Sequence, residues 1–166
     1  MLETDLTPPV SPKTIYLKDY RAPQFLVPSI RLNAKLENQG ATITSVLDIE
    51  RQGHSNEPLV LDGEKLSLEY LKIDGEKLDE SRYTLTDLAL TIDDVPDRFS
   101  LEVQTTLKPQ LNTELSGLYQ SSGNFCTQCE AEGFRRITYF PDRPDVLSVY
   151  DVTITADKSS CSRVTI

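Results

Sequence analysis

Ile30–Ile49 reads IRLNAKLENQGATITSVLDI. In its first arm Ile30, Leu32, Ala34 and Leu36 alternate with Arg31, Asn33 and Lys35; in its second, Ala41, Ile43, Leu47 and Ile49 alternate with mostly polar neighbours. Successive side chains of a strand point to opposite faces, so each arm predicts a strand with one buried face. Asn38-Gln39-Gly40 between them is turn chemistry, and the two arms together predict a β-hairpin. Outward from this pair the pattern repeats. DGEKL occurs twice, at Asp62–Leu66 and Asp74–Leu78, and both copies are expected to be hairpin turns around a strand from Leu66 to Ile73. Alternation resumes in YTLTDLALTI and FSLEVQTTL, separated by the Pro-bearing turn DDVPD, and a last strand places Val152, Ile154 and Ala156 on one face. Almost no helical period precedes residue 130, and Pro28, Pro58, Pro96, Pro109 and Pro144 suit strand edges and turns. The expectation is an all-β chain, an antiparallel sandwich or curved multi-sheet domain of roughly seven to ten strands.

Composition narrows the function. A chain of 166 residues holds one domain with a real core, and 38% hydrophobic with 26% charged residues is the soluble globular range. The net charge of −9, with no cluster of Lys and Arg, repels phosphate backbones and acidic membrane surfaces, which argues against nucleic-acid or membrane partners. No basic segment followed by an apolar one opens the sequence, and the expected compartment is the cytoplasm. Residues 1–13, polar and Pro-rich, read as a flexible lead-in.

Chemistry-bearing motifs are few. The chain has no Gly-x-Ser-x-Gly elbow, HExxH, P-loop or Gly-x-Gly-x-x-Gly. Cys126 and Cys129 form a lone CxxC; Cys161 and the single histidine, His54, do not complete a four-ligand zinc set at matching spacing. An odd number of cysteines also argues against a disulfide framework, so reduced thiols at the edge of a core are expected. One aperiodic stretch stands out, NFCTQCEAEGFRRITYFPDRPDVL from Asn124 to Leu147. Within it Glu130 and Glu132 flank one alanine. By charge pattern they are either solvated carboxylates beside Arg135 and Arg136 or the acidic part of a binding site.

That stretch carries a resemblance. GLYQSSGNFCTQCEAEGFRRITYFPDRPDVLSVYDVTITADK, Gly117–Lys158, is similar to the end of the N-terminal domain of the bacterial aminopeptidase N family, zinc-dependent alanyl aminopeptidases of the gluzincin group. The likeness begins in YLKDYRAPQFLVPSIRLNAKLEN and covers about residues 14–158, with Gln128–Arg135 its most specific part. The resemblance implies a saddle-shaped β domain that covers a catalytic domain and sends one loop into its cleft. It implies that Glu130 receives the α-amino group of a peptide substrate's N-terminus and that Gln128 lines the pocket for the first side chain. It further implies a cis peptide bond after Glu130, a loop supported by Phe134, Tyr139, Phe140 and the arginines, and an apolar patch where the catalytic partner packs. Zinc belongs to the catalytic domain of that family. This chain holds no Gly-x-Met-Glu-Asn strand and no HExxH, so it is expected to contain no catalytic or metal-binding residue, to need no cofactor and to be inactive alone. Residues 159–166 depart from the family pattern, in which a Leu-Leu-Ser-Asn-Gly strand follows, and read as the end of a truncated frame or an excised domain. A free-standing β-sandwich that binds a protein partner through the same surface is the competing reading.

Overall fold

The computed structural model describes residues 16–53 and 56–156. The lead-in, the tail, His54 and Cys161 lie outside the described residues. The predicted hairpin is the spine of the fold: β1 (Phe25–Glu37) and β2 (Gly40–Arg51) pair antiparallel, with Ile30 opposite Leu47 and Leu36 opposite Ala41. Pro28 cannot donate to a ladder, and the register slips there, between Leu26 and Ser29. The slip moves burial from the odd residues Phe25 and Val27 to the even residues Ile30, Leu32, Ala34 and Leu36.

Nine further strands complete three sheets: β3 (Leu59–Asp62), β4 (Ser67–Ile73), β5 (Glu76–Lys77), β6 (Tyr83–Leu85), β7 (Ala89–Ile92), β8 (Arg98–Leu107), β9 (Gly117–Ser121), β10 (Asn124–Gln128) and β11 (Val149–Ala156). The large sheet runs β11-β1-β2-β8-β4-β5, a second β3-β7-β6, and β9 and β10 form a separate hairpin. One continuous apolar cluster joins Ile30, Ile43, Leu47 and Leu101 of the large sheet to Leu59, Leu61, Leu90 and Ile92 of the three-stranded sheet. The all-β, multi-sheet expectation holds.

Two local expectations are corrected. Asp74-Gly75 is a hairpin turn, both residues at positive φ between β4 and β5. Asp62-Gly63 is not: β3 pairs β7 and β4 pairs β8, so the chain crosses from one sheet to the other there. Gly63 is required for a different reason, since a Cβ would land on the buried ring of Tyr139. The last strand also departs from the antiparallel pattern. β11 lies parallel to β1, with Ile30 beside Tyr150 and Ala34 beside Ile154.

Candidate functional site

The aperiodic stretch begins as a strand and ends as a clamp. Ser122 and Gly123, both at positive φ, turn β9 into β10, and β10 ends at Gln128. The chain then folds back on itself, with the Gly133 N–H donating to the Cys129 carbonyl at 2.9 Å. Only glycine fits this closure: a Cβ at 133 would lie 2.5 Å from the Gln128 carbonyl oxygen and 2.7 Å from Cys129 Cα. The Glu130–Ala131 peptide bond, at the tip of this turn, is cis.

Behind the tip a polar lattice ties the loop to the sheets. The Arg135 backbone N–H and Nε both donate to Asp142 Oδ2, at 3.1 and 3.0 Å, and Nη2 donates to the Asp142 carbonyl at 3.0 Å. The Asp142 N–H in turn donates to Asp62 Oδ2 at 2.9 Å, and Asp62 and Phe140 exchange two backbone bonds. Arg136 binds Glu64 at 2.9 Å and also Glu114, which Lys65 shares. Hydrogen bonds from Lys65 and then Arg136 hold the Glu114 carboxyl below the ordinary range. Charge-assisted bonds in a half-buried setting fix geometry more firmly than neutral ones.

Apolar contacts hold the same loop from the other side. Phe134 meets Phe140 and Tyr150 edge-on, with ring centroids 5.1 and 5.5 Å apart. Ile137 and Thr138 lie on the core face of the large sheet, where Ser45 and Thr138 hydroxyls bond at 2.7 Å and Thr105 donates to the Ile137 carbonyl at 3.3 Å. Ser45, Thr105 and Thr138 are fully buried, and each has a partner.

Against this lattice, Glu130 differs from its neighbours. Glu132 pairs with Arg135 at 3.4 Å, and Glu64, Glu114 and Asp142 are all engaged by arginine. Glu130 is exposed, and its carboxylate has no hydrogen bond or ion pair among the described residues. Gln128 is exposed beside it, and its Nε2 donates to the Glu130 carbonyl at 3.3 Å. The two candidate residues are therefore brought together at a rim, and the two glutamates that charge pattern could not separate have different surroundings. Cys126 and Cys129 are free thiols; burial, then Asp142, pushes the Cys129 thiol up and away from thiolate chemistry. Among the described residues no group of three or more His, Cys, Asp or Glu could hold a metal.

Sequence reasoning anticipated Phe134, Tyr139, Phe140 and the arginines as support but not the partners that hold them. Asp62 and Glu64 belong to the misread DGEKL turn. Ser45 left a signal, the one polar residue on the buried beat of Ala41–Ile49.

Residues 19–164 match the peptidase M1 N-terminal domain. The chain belongs to that family. Curated relatives are aminopeptidase N of Caulobacter vibrioides, 48% identical over 147 residues, and aminopeptidase N of Escherichia coli, 44% identical over the same number. Both matches cover 89% of this chain but 17% of the relative, so the chain spans about one-sixth of the length of the curated relatives it matches. Among solved structures, Legionella pneumophila aminopeptidase A in complex with aspartic acid superposes with a TM-score of 0.77 at 35% identity, covering 83% of this chain and 17% of that one. The M1 zinc metallopeptidase of Deinococcus radiodurans shares the fold, with a TM-score of 0.66 at 17% identity over 80% of this chain and 33% of that one. What this chain corresponds to in M1 aminopeptidases is their N-terminal domain.

Proposed function

We propose that this chain is the part of a zinc metalloaminopeptidase that reads the substrate's free N-terminus, working with a gluzincin catalytic domain that carries the metal. Glu130 receives the α-amino group, and Gln128 borders the first side chain. The observation that carries this reading is the contrast around one loop: Glu132, Asp142, Glu64 and Glu114 are engaged by arginine, while Glu130, on the turn that they support, stays exposed and without a partner among the described residues. A carboxylate presented in this way is complementary to an ammonium group and rejects a substrate whose N-terminus is blocked. The free thiols of Cys126 and Cys129 accord with a reducing compartment such as the cytoplasm.

The magnitude explains why a catalytic partner is needed. An exposed carboxylate–ammonium pair is worth about 0–1 kcal/mol, too little to hold a peptide. The same pair, enclosed by a second domain and hydrogen-bonded, is worth about 1.5–3 kcal/mol. The test therefore uses the joined protein: residues 19–156 replace the matching segment of the Caulobacter aminopeptidase N. There Glu130→Ala is expected to lower kcat/KM for free-amine aminoacyl arylamides by about 10- to 100-fold, from that same energy. Gln128→Ala is expected to change the ranking of first side chains more than the overall rate. Unchanged kinetics in Glu130→Ala would sink the reading.

A further inference from the structure

Two carboxylates, not one, stand at the tip of the loop. Glu130 and Glu132 are separated by a single residue, and two residues of chain set their Cα atoms no more than about 7 Å apart. What separates them is Arg135. It lies three residues after Glu132, in the short turn Phe134–Arg136, and its guanidinium meets the Glu132 carboxylate at 3.4 Å. Of the carboxylates that arginine engages around this loop, Glu132 is the most exposed, at 63%, and among the described residues Arg135 is its one partner. Arg135 itself is fixed. Its backbone N–H and Nε donate to Asp142 Oδ2, its Nη2 donates to the Asp142 carbonyl, and the Asp142 N–H is anchored on Asp62. A planar guanidinium held through Nε and Nη2 presents its remaining donors in a set direction. Glu132 therefore meets a preorganised cation, while Glu130, two residues earlier, receives no such contact.

We infer that Arg135 is a positioning residue for the aminopeptidase reaction: it withdraws Glu132 from the amine site, so that Glu130 alone faces the incoming ammonium. The role rests on Glu130 receiving the substrate's amino group. Its consequence is selectivity by charge. A site with one open carboxylate matches the single charge of an α-ammonium, whereas a site with two also attracts a second cation carried on the first side chain. Glu132, once released, adds one unit charge at about 8 Å from such a cation, which after screening favours a basic first residue by about 3- to 10-fold. That attraction acts on bound substrate and transition state alike, so the gain falls in KM rather than in kcat.

A double-mutant cycle in the joined protein, with residues 19–156 in the Caulobacter aminopeptidase N, tests this on lysyl and norleucyl arylamides, which differ mainly in the charge at the end of the side chain. Arg135→Gln is expected to raise the lysyl-to-norleucyl ratio of kcat/KM by about 3- to 10-fold, through KM. Glu132→Gln is expected to change that ratio by less than about twofold in the parent, as befits an exposed ion pair, and to reverse the whole rise in the Arg135→Gln background. Fixed charges acting through space give Glu132→Gln the same effect in both backgrounds, and so does an Arg135 that only supports the fold; either additive result overturns the inference. Should Arg135→Gln fail to fold, Arg135→Lys carries the same cycle, since it keeps the charge beside Asp142 but an ammonium lacks the fork that holds Asp142 and Glu132 together. Glu130→Ala, measured alongside on the norleucyl substrate, tells the two failures apart. A fall in its kcat/KM with an additive cycle overturns this inference alone, and unchanged turnover overturns the reading of Glu130 and the inference with it.

Discussion

At the scale of single residues, the loop is held by groups whose chemistry has no alternative use. Ser45 and Thr138 are fully buried and bond to each other, so removing one hydroxyl strands the other without water. Thr138→Val is expected to cost about 1–3 kcal/mol, the usual penalty for an orphaned buried hydroxyl. Ser45→Ala combined with Thr138→Val should cost less than the two single changes added, and chemical denaturation of the four-member cycle measures the difference. Asp145 offers a pH test. It accepts two bonds from Arg143, at 2.8 and 2.7 Å, and one from Tyr20 at 3.0 Å, and the Arg143 bonds foremost pull its carboxyl down to about 2. A carboxyl depressed in the folded state contributes stability above its unfolded pKa of 3.8, and that contribution fades as pH falls toward about 2. Asp145→Asn is therefore expected to lower the melting temperature near neutral pH, with the difference from the parent closing as pH drops from 4 to about 2 in thermal melts at stepped pH. Glu130 and Gln128 were legible as site residues only through a resemblance carried by eight consecutive residues, Gln128–Arg135. Charge pattern alone left Glu130 and Glu132 equivalent, because the partner that separates them, Arg135, is oriented by Asp142 and by nothing local to either glutamate.

At the scale of elements, alternation read the strands well and the connections unevenly. The Ile30–Ile49 pattern gave the central hairpin because both arms bury one face against the same core, and that burial leaves a period-two trace. The two DGEKL copies show where local sequence stops deciding. Asp74-Gly75 joins neighbours in one sheet, whereas Asp62-Gly63 leads the chain from β3 to β4 in another, and the two differ in what packs over them. Gly63 sits under the Tyr139 ring. Gly63→Ala is expected to destabilise the fold by about 1–3 kcal/mol, the ordinary cost of overpacking a core. In a Tyr139→Ala background the same change should be close to neutral in urea unfolding, since the ring that it meets is gone. The parallel pairing of β11 with β1 was illegible for a related reason. Parallel partners are joined by long crossovers, and nothing in a short window of β11 records a strand more than a hundred residues away.

At the scale of the whole molecule, one wall of the domain is built to hold a single turn of chain. Asp62 and Glu64 from the inter-sheet crossover, Glu114 before β9, Thr105 of β8, Ser45 of β2 and Tyr150 of β11 all converge on residues 134–142, and the turn at Cys129–Gly133 projects from that support. The result is a carboxylate, that of Glu130, held out from a rigid mount with no partner of its own among the described residues. The domain contributes geometry and charge, and the hydrolytic chemistry of the M1 aminopeptidases has to come from the five-sixths of their length that this chain does not span. The central claim is that Glu130 receives the substrate's amino group, and the most direct measurement is a crystal structure of the joined protein with a bound amino acid. The account predicts the α-amino nitrogen about 2.7–2.9 Å from a Glu130 carboxylate oxygen, the range of a charge-assisted bond, with Gln128 beside the side chain. An ammonium group held by other carboxylates, with Glu130 turned back onto Arg135 or Arg136, would contradict it.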